Sequence, residues 1–200
     1  MDWSLGPFAL NASDSPMQGR GVHVGQEFDF ETTFRYRPPS RQDRITSFVN
    51  LLPLIPESWS PLVELIGHLP HYEFRSFGHE CPDGLLKPVA SIAEEMSRAG
   101  WAYHDKPTGD GFGHIVHNWA AVGRPLIGHA HYYAGQRAEA LWQDGVTCID
   151  LDRHTTEEAA RVIAGTTPEA HAQMCRAIRD TLVRLYSPGS DARAVRDGLL

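Results

Sequence analysis

The densest chemistry in this 200-residue chain lies in residues 110–125, Asp-Gly-Phe-Gly-His-Ile-Val-His-Asn-Trp-Ala-Ala-Val-Gly-Arg-Pro. Gly109, Gly111 and Gly113 lack a Cβ, so backbone there can approach a ligand closely. A helix starting near Gly113 aims its first N–H groups into the same space, where anions are favoured. Asp110 stands at that mouth, able to cap the helix or to accept hydrogen bonds from sugar hydroxyls. His114 and Asn118 are spaced i, i+4 and share a helix face, with His117 beside them. A glycine turn, a helix N-terminus and two hydrogen-bonding side chains together suit a sugar nucleotide.

Other residue types carry less. The chain has eleven histidines, and His114, His117, His129 and His131 crowd together in sequence. No Cys or carboxylate completes a zinc spacing around them, so hydrogen-bonding histidines near a polar ligand are the better reading and no metal is expected. Cys81, Cys148 and Cys175 are widely spaced and odd in number, which fits buried thiols in a reducing compartment. Cys81 has no base near it in sequence and reads as structural. Trp59, Trp101, Trp119 and Trp142 occupy apolar positions and read as core. Tyr132 and Tyr133 can flank a base or a sugar, or simply pack.

The elements that must position these residues alternate. Strands are expected at 45–50, 72–77, 101–104, 126–128 and 147–151, from short runs rich in β-formers. Helices are expected at 59–69 with Ser58 as N-cap, at 88–99 with Gly100 as the C′ stop, and at 114–122 closed by Gly123. Further helices are expected at 135–143, 155–164 and 168–186. This alternation predicts an α/β fold: one Rossmann-like domain, a parallel sheet with helices on both faces. Ligands in such folds bind beyond the carboxyl ends of the strands, so the loops to watch are 51–57, 78–85, 106–113 and 129–135. Residues 1–44 are rich in Gly, Pro, Ser, Asp and Arg, and read as an N-terminal arm and linker in which Phe28, Phe30, Phe34 and Tyr36 alternate with polar residues. The domain proper is 45–186, and 187–200 is a tail.

Composition narrows the function classes. Hydrophobic residues make up 42% and charged residues 22%, which places the chain among globular domains. A formal net charge of −7 without a dense Lys/Arg cluster argues against nucleic-acid binding. No signal peptide and no membrane-length apolar run are read, so a cytoplasmic location is expected.

Residues 110–125 resemble the donor-site segment of retaining GT-B glycosyltransferases, the "glycosyl transferases group 1" class. That segment reads Glu-Gly-Phe-Gly, then after four residues a second Glu, then Ala-Met-Ala-x-Gly-x-Pro. Gly111, Phe112, Gly113, Ala121, Gly123 and Pro125 fall in place without a gap. Asp110 stands for the first acid and Asn118 for the second. The resemblance implies that Asp110 lies by the donor sugar and Asn118 by the nucleotide ribose. It also implies a metal-independent donor site with no cofactor. More weakly, 24–29 resembles the passage between the two halves of such enzymes, 45–51 the first strand of the second half, 129–145 the loop and helix closing over the nucleotide, and 168–186 the long C-terminal helix.

Two departures are plain. The family carries Arg and Lys after the first strand of this half to hold the donor diphosphate, whereas 50–57 has no basic residue; Arg75, Lys106, Arg124 or Arg137 are the substitutes. The chain is also too short for the acceptor-binding first half. The expectation is therefore the C-terminal, donor-binding half of a GT-B fold, binding a nucleotide-sugar through Asp110, Gly111, Phe112, Gly113, His114 and Asn118. Two functions remain open: sugar transfer to an unknown acceptor, by the chain alone or with a protein partner that supplies the first half, or a non-catalytic nucleotide-sugar module or subunit of a split transferase. A sugar-nucleotide epimerase or a domain that lost its ligand are further alternatives.

Overall fold

The computed structural model describes residues 32–107 and 114–186. The expectations for Phe28, Phe30, 24–29, Asp110, Gly111, Phe112, Gly113 and the tail lie outside them. Five strands form one parallel sheet in the order β2-β1-β3-β4-β5: β1 Arg44–Phe48, β2 Glu73–Phe77, β3 Trp101–Tyr103, β4 Leu126–Gly128 and β5 Cys148–Asp150. Helices α1 Pro56–His68, α2 Val89–Arg98, α3 His114–Val122, α4 Thr156–Gly165 and α5 Pro168–Leu185 alternate with the strands. The chain is thus the α/β domain that the alternation predicts.

Strand side chains alternate between two cores, as a pleated strand requires. Ile45, Trp101, Tyr103, Ile127 and Ile149 face α1 and α4. Ala102, Leu126 and Cys148 face α2, α3 and α5. Trp101 and Trp119 are fully buried, one in each core. Burying a side chain of that size is worth about 4–6 kcal/mol before ordering entropy is counted. All three cysteines are buried free thiols. Burial pushes Cys175 up to about 11 and Cys148 higher still, so both stay protonated.

Helix and strand limits follow local chemistry with three exceptions. Helix α3 and strand β4 begin and end where the sequence places them, because Gly123 takes a left-handed φ of 75° past the helix end. Ser58 is not an N-cap: Pro56, whose missing N–H and fixed φ suit the first helical position, starts α1 two residues earlier. Ser58 is buried in the first turn instead.

The second exception is Gly100. Helix α2 closes at Ala99, whose backbone is extended and whose N–H donates to Met96. A Cβ on Gly100 would stand 2.7 Å from the Gln42 carbonyl oxygen and 2.8 Å from its Cα. Glycine is needed there for close backbone packing beside β1, not for a helix stop. The Gly100 carbonyl also pairs with the buried His171 ring at 2.9 Å.

The third exception is 135–143, which forms no α-helix. Two 3₁₀ turns, Ala130–Tyr133 and Arg137–Leu141, flank Gly135 at φ 74°. The stacked rings of Tyr133 and Trp142, 4.5 Å apart, draw both turns into the core. Among the described residues no helix is long and apolar enough to cross a membrane.

Replacing Gly100 by Ala tests this packing. The new methyl meets backbone on its strand side, so a loss on the order of 1–3 kcal/mol is expected. Thermal unfolding followed by circular dichroism should show Tm lowered by several degrees. An unchanged Tm would contradict the close approach to Gln42.

Candidate functional site

The sheet order reverses between β1 and β3: from β1 the chain crosses one way to β2 and then back past it to β3. At such a reversal the loops leaving the two strands diverge and open a crevice at the carboxyl edge. The loop after β3 starts with His104, Asp105, Lys106 and Pro107 and leads to α3 at His114. The loop after β4 starts with His129.

Asp105 and His129 meet beside the crevice, across the ends of β3 and β4. Strand register pairs Tyr103 with Ile127, so residues two further along each strand end are neighbours. The Asp105 carboxylate is fully buried, and its oxygens lie 2.9 and 3.0 Å from His129 Nδ1. It also accepts the His129 backbone N–H at 3.0 Å. A carboxylate can accept but not donate, so Nδ1 carries the proton and Nε2 is the ring's other site. The hydrogen bond to Asp105, opposed by partial burial, raises the His129 pKa above its ordinary value. Gly128 makes the approach possible, because a Cβ there would collide with the His104 carbonyl oxygen.

The neighbouring residues fix this loop. Asp150 accepts the Ala130 N–H at 3.1 Å, and Asp152 accepts the His131 N–H at 2.8 Å. His131 Nδ1 lies 2.6 Å from Asp152, in the open. The Tyr132 ring centroid is 5.3 Å from that of His129 and 4.2 Å from that of His131. Burial, with Asp105 and Asp152 nearby, pushes the Tyr132 phenol up, so it remains a neutral donor. On the far side of Asp105, Tyr103 donates to the Ser58 carbonyl at 2.5 Å, and its hydroxyl is 3.4 Å from Asp105. A positionally fixed imidazole, a neutral phenol and loop backbone thus share one edge. They can hold an anion, or hydrogen-bond a polyhydroxyl ligand.

The structure sorts the sequence candidates. His114 and Asn118 lie on the half-buried side of α3, a turn apart. His117 turns inward, fully buried, with Nε2 2.8 Å from the Tyr186 hydroxyl, so it does not join a cluster with His129 and His131. Among the described residues, no three His, Cys, Asp or Glu side chains converge to hold a metal ion. Tyr133 is core.

The four cations named as diphosphate holders divide similarly. Arg124 is fully buried and donates to the carbonyls of Arg37, Val122, Gly123 and Ser97 at 2.7–3.0 Å. It neutralises carbonyls at the ends of α2 and α3 and is a structural latch. Arg75 pairs with Asp83 at 2.8 Å. Arg137 lies 4.3 Å from the Tyr186 ring centroid and donates to the Leu185 carbonyl. Lys106 directly follows Asp105 at the crevice.

Sequence reasoning missed the Asp105–His129 pair. The two are 24 positions apart, and neither belongs to a motif. The available signal was positional: Asp105 lies two residues beyond the end of β3 and His129 directly after β4, its parallel neighbour.

No family model matches this chain, and no curated protein matches it. Solved structures do. HepE from Anabaena, crystallised with UDP and glucose, superposes with a TM-score of 0.65 at 13% identity, over 90% of this chain and 56% of that one. A glycosyltransferase from Rickettsia africae gives 0.60 at 14%, over 90% and 55%. A chain of the GtfA/B complex gives 0.59 at 13%, over 82% and 37%. The fold is therefore one found in glycosyltransferases, and the chain spans 37–56% of the length of these structures.

Asp105 should govern the titration of His129. In NMR-monitored titration the His129 ring is expected to have a midpoint above the ordinary value of about 6.5, and Asp105→Asn should lower it. The sign for stability follows: the pair's contribution is complete below about pH 6.5 and is lost as pH rises through the raised midpoint. A midpoint unmoved by Asp105→Asn would break the pairing.

Proposed function

We propose that this domain binds the donor of a glycosyl-transfer reaction, a nucleotide-sugar, as the C-terminal half of a GT-B glycosyltransferase does. The observation that carries the reading is the oriented Asp105–His129 pair. It stands at the carboxyl edge beside the strand-order reversal, and Asp105 opens the stretch of chain that leads to α3.

The chemistry needs positive potential where charge develops on the leaving diphosphate. Protonated His129, with Nε2 turned from Asp105, supplies a hydrogen-bond donor and a charge. Lys106 and the N-terminus of α3 add to it. Together they replace the Arg and Lys missing from the loop after β1. In this reading Asp110 hydrogen-bonds donor-sugar hydroxyls, the backbone of Gly111, Phe112 and Gly113 passes close to the donor, and His114 and Asn118 face the nucleotide, with Asn118 on the ribose. The donor is a substrate; no metal or cofactor takes part. The reaction breaks the bond between sugar and diphosphate and forms one to an acceptor hydroxyl, whose proton leaves with a base from the acceptor side.

A second reading is that the domain only binds the nucleotide-sugar, or acts as one component of a split transferase. The GtfA/B complex is a precedent for assembly among neighbours of this fold. The acceptor-binding half is then supplied by a partner.

Isothermal titration with UDP-, GDP- and ADP-sugars tests the binding step. One of them should bind, and His129→Ala should weaken it by about 10–100-fold, the range for losing a charged hydrogen bond. Affinity should also fall as pH rises through the His129 midpoint. No binding by any donor, or equal binding by His129→Ala, would overturn the proposal. Turnover by the chain alone would exclude the split reading.

A further inference from the structure

The helix α1 does not close fully on the sheet beneath it. A cavity of about 220 Å³ lies between α1 and strands β1, β2 and β3. Its cause is legible in the register: Ser47 on β1 is paired with Ser76 on β2 on one side and with Tyr103 on β3 on the other. Two serines stand side by side where a buried parallel sheet usually carries Val or Ile. Their small volume leaves the space that a branched side chain would fill.

The hydroxyls are the second observation. Ser47 is 1% exposed and Ser76 6%. Both line the cavity, and among the described residues neither hydroxyl has a hydrogen-bond partner. Buried hydroxyls are nearly always partnered, so two unpartnered ones in register, both facing one cavity, ask for a ligand. The remaining wall is apolar: Trp59, Leu62 and Ile66 of α1 and Phe74 of β2. The charged groups at the rim are already matched. Arg75 pairs with Asp83 at 2.8 Å, and Asp83 accepts the Ser76 N–H at 2.6 Å. Among the described residues no unmatched charge faces the space, so an ionic ligand would be desolvated without compensation.

From this we infer that the α1 cavity is a binding site for a small neutral aromatic molecule, or aromatic head group, bearing one hydroxyl or ring N–H, a phenol or an indole. Size sets the upper limit: the space is below the roughly 300–1,000 Å³ of sites for drug-sized ligands, which leaves room for one ring or a fused pair. The ring packs against Trp59, Leu62 and Phe74, and its polar group meets Ser47 and Ser76. The site is separate from the proposed donor site but adjoins it, since Tyr103 walls the cavity while its hydroxyl stands 3.4 Å from Asp105.

The test uses the whole chain labelled with ¹⁵N and titrated with phenol, indole and toluene. Phenol and indole should give saturable shifts at the amides of Ser47, Ser76 and Trp59, and phenol should bind at least fivefold more tightly than toluene. In the Ser47→Ala, Ser76→Ala variant, which removes no packing atoms beyond the hydroxyls, the preference for phenol should vanish while toluene still binds. Ser47→Val should fill the space and abolish binding of all three. The proposal is overturned if none of the probes binds, if toluene binds wild type as well as phenol does, or if Ser47→Val binds phenol unchanged. None of these results depends on whether a nucleotide-sugar binds.

Discussion

Three consecutive backbone N–H groups beyond β4, those of His129, Ala130 and His131, each end on a carboxylate: Asp105, Asp150 and Asp152 in turn. Parallel strands leave such N–H groups unpaired where the ladder stops. Here the neighbouring strand ends satisfy them with charge-assisted hydrogen bonds, stronger than neutral ones. The loop after β4 is thereby held in one course, and two imidazoles are turned to meet the same acids. An edge otherwise rich in carboxylates would repel a diphosphate. Asp105 raises the pKa of His129, whose protonated ring offsets part of that charge, and the acids serve as anchors for the loop.

Much of the fold was legible because its punctuation is local. Gly123 and Pro125 bracket the end of α3 and the start of β4, and both elements lie where the spacing puts them. The misreadings share a cause. Gly100, Ser58 and 135–143 carry residue types with a standard local use, but backbone contact with Gln42, a proline two residues earlier and the Tyr133–Trp142 stack decide them instead. Tertiary packing overrides local preference when the local signal is only a few tenths of a kcal/mol to about 1 kcal/mol per residue.

The site divides along the same line. A contiguous motif is visible in sequence, and so the 110–125 segment drew attention first. The Asp105–His129 pair depends on which strands are neighbours and in what register, and neither is encoded within a short window. Arg124 shows the reverse error: a lone arginine beside a motif looks available for an anion, yet its guanidinium is consumed by four backbone carbonyls. In the proposed donor site, the cation that the motif lacks comes from His129, whose ring Asp105 holds through Nδ1.

The central claim is one of place: a nucleotide-sugar sits at the carboxyl edge, over the loops after β3 and β4. Amide shift mapping of the labelled chain with UDP tests it most directly, since UDP is the nucleotide in the HepE structure that this fold resembles. The account predicts the largest shifts at Asp105, Lys106, His114, Asn118, His129 and Tyr132. Shifts confined to the amino ends of the strands, or to the outer face of α1, would contradict it.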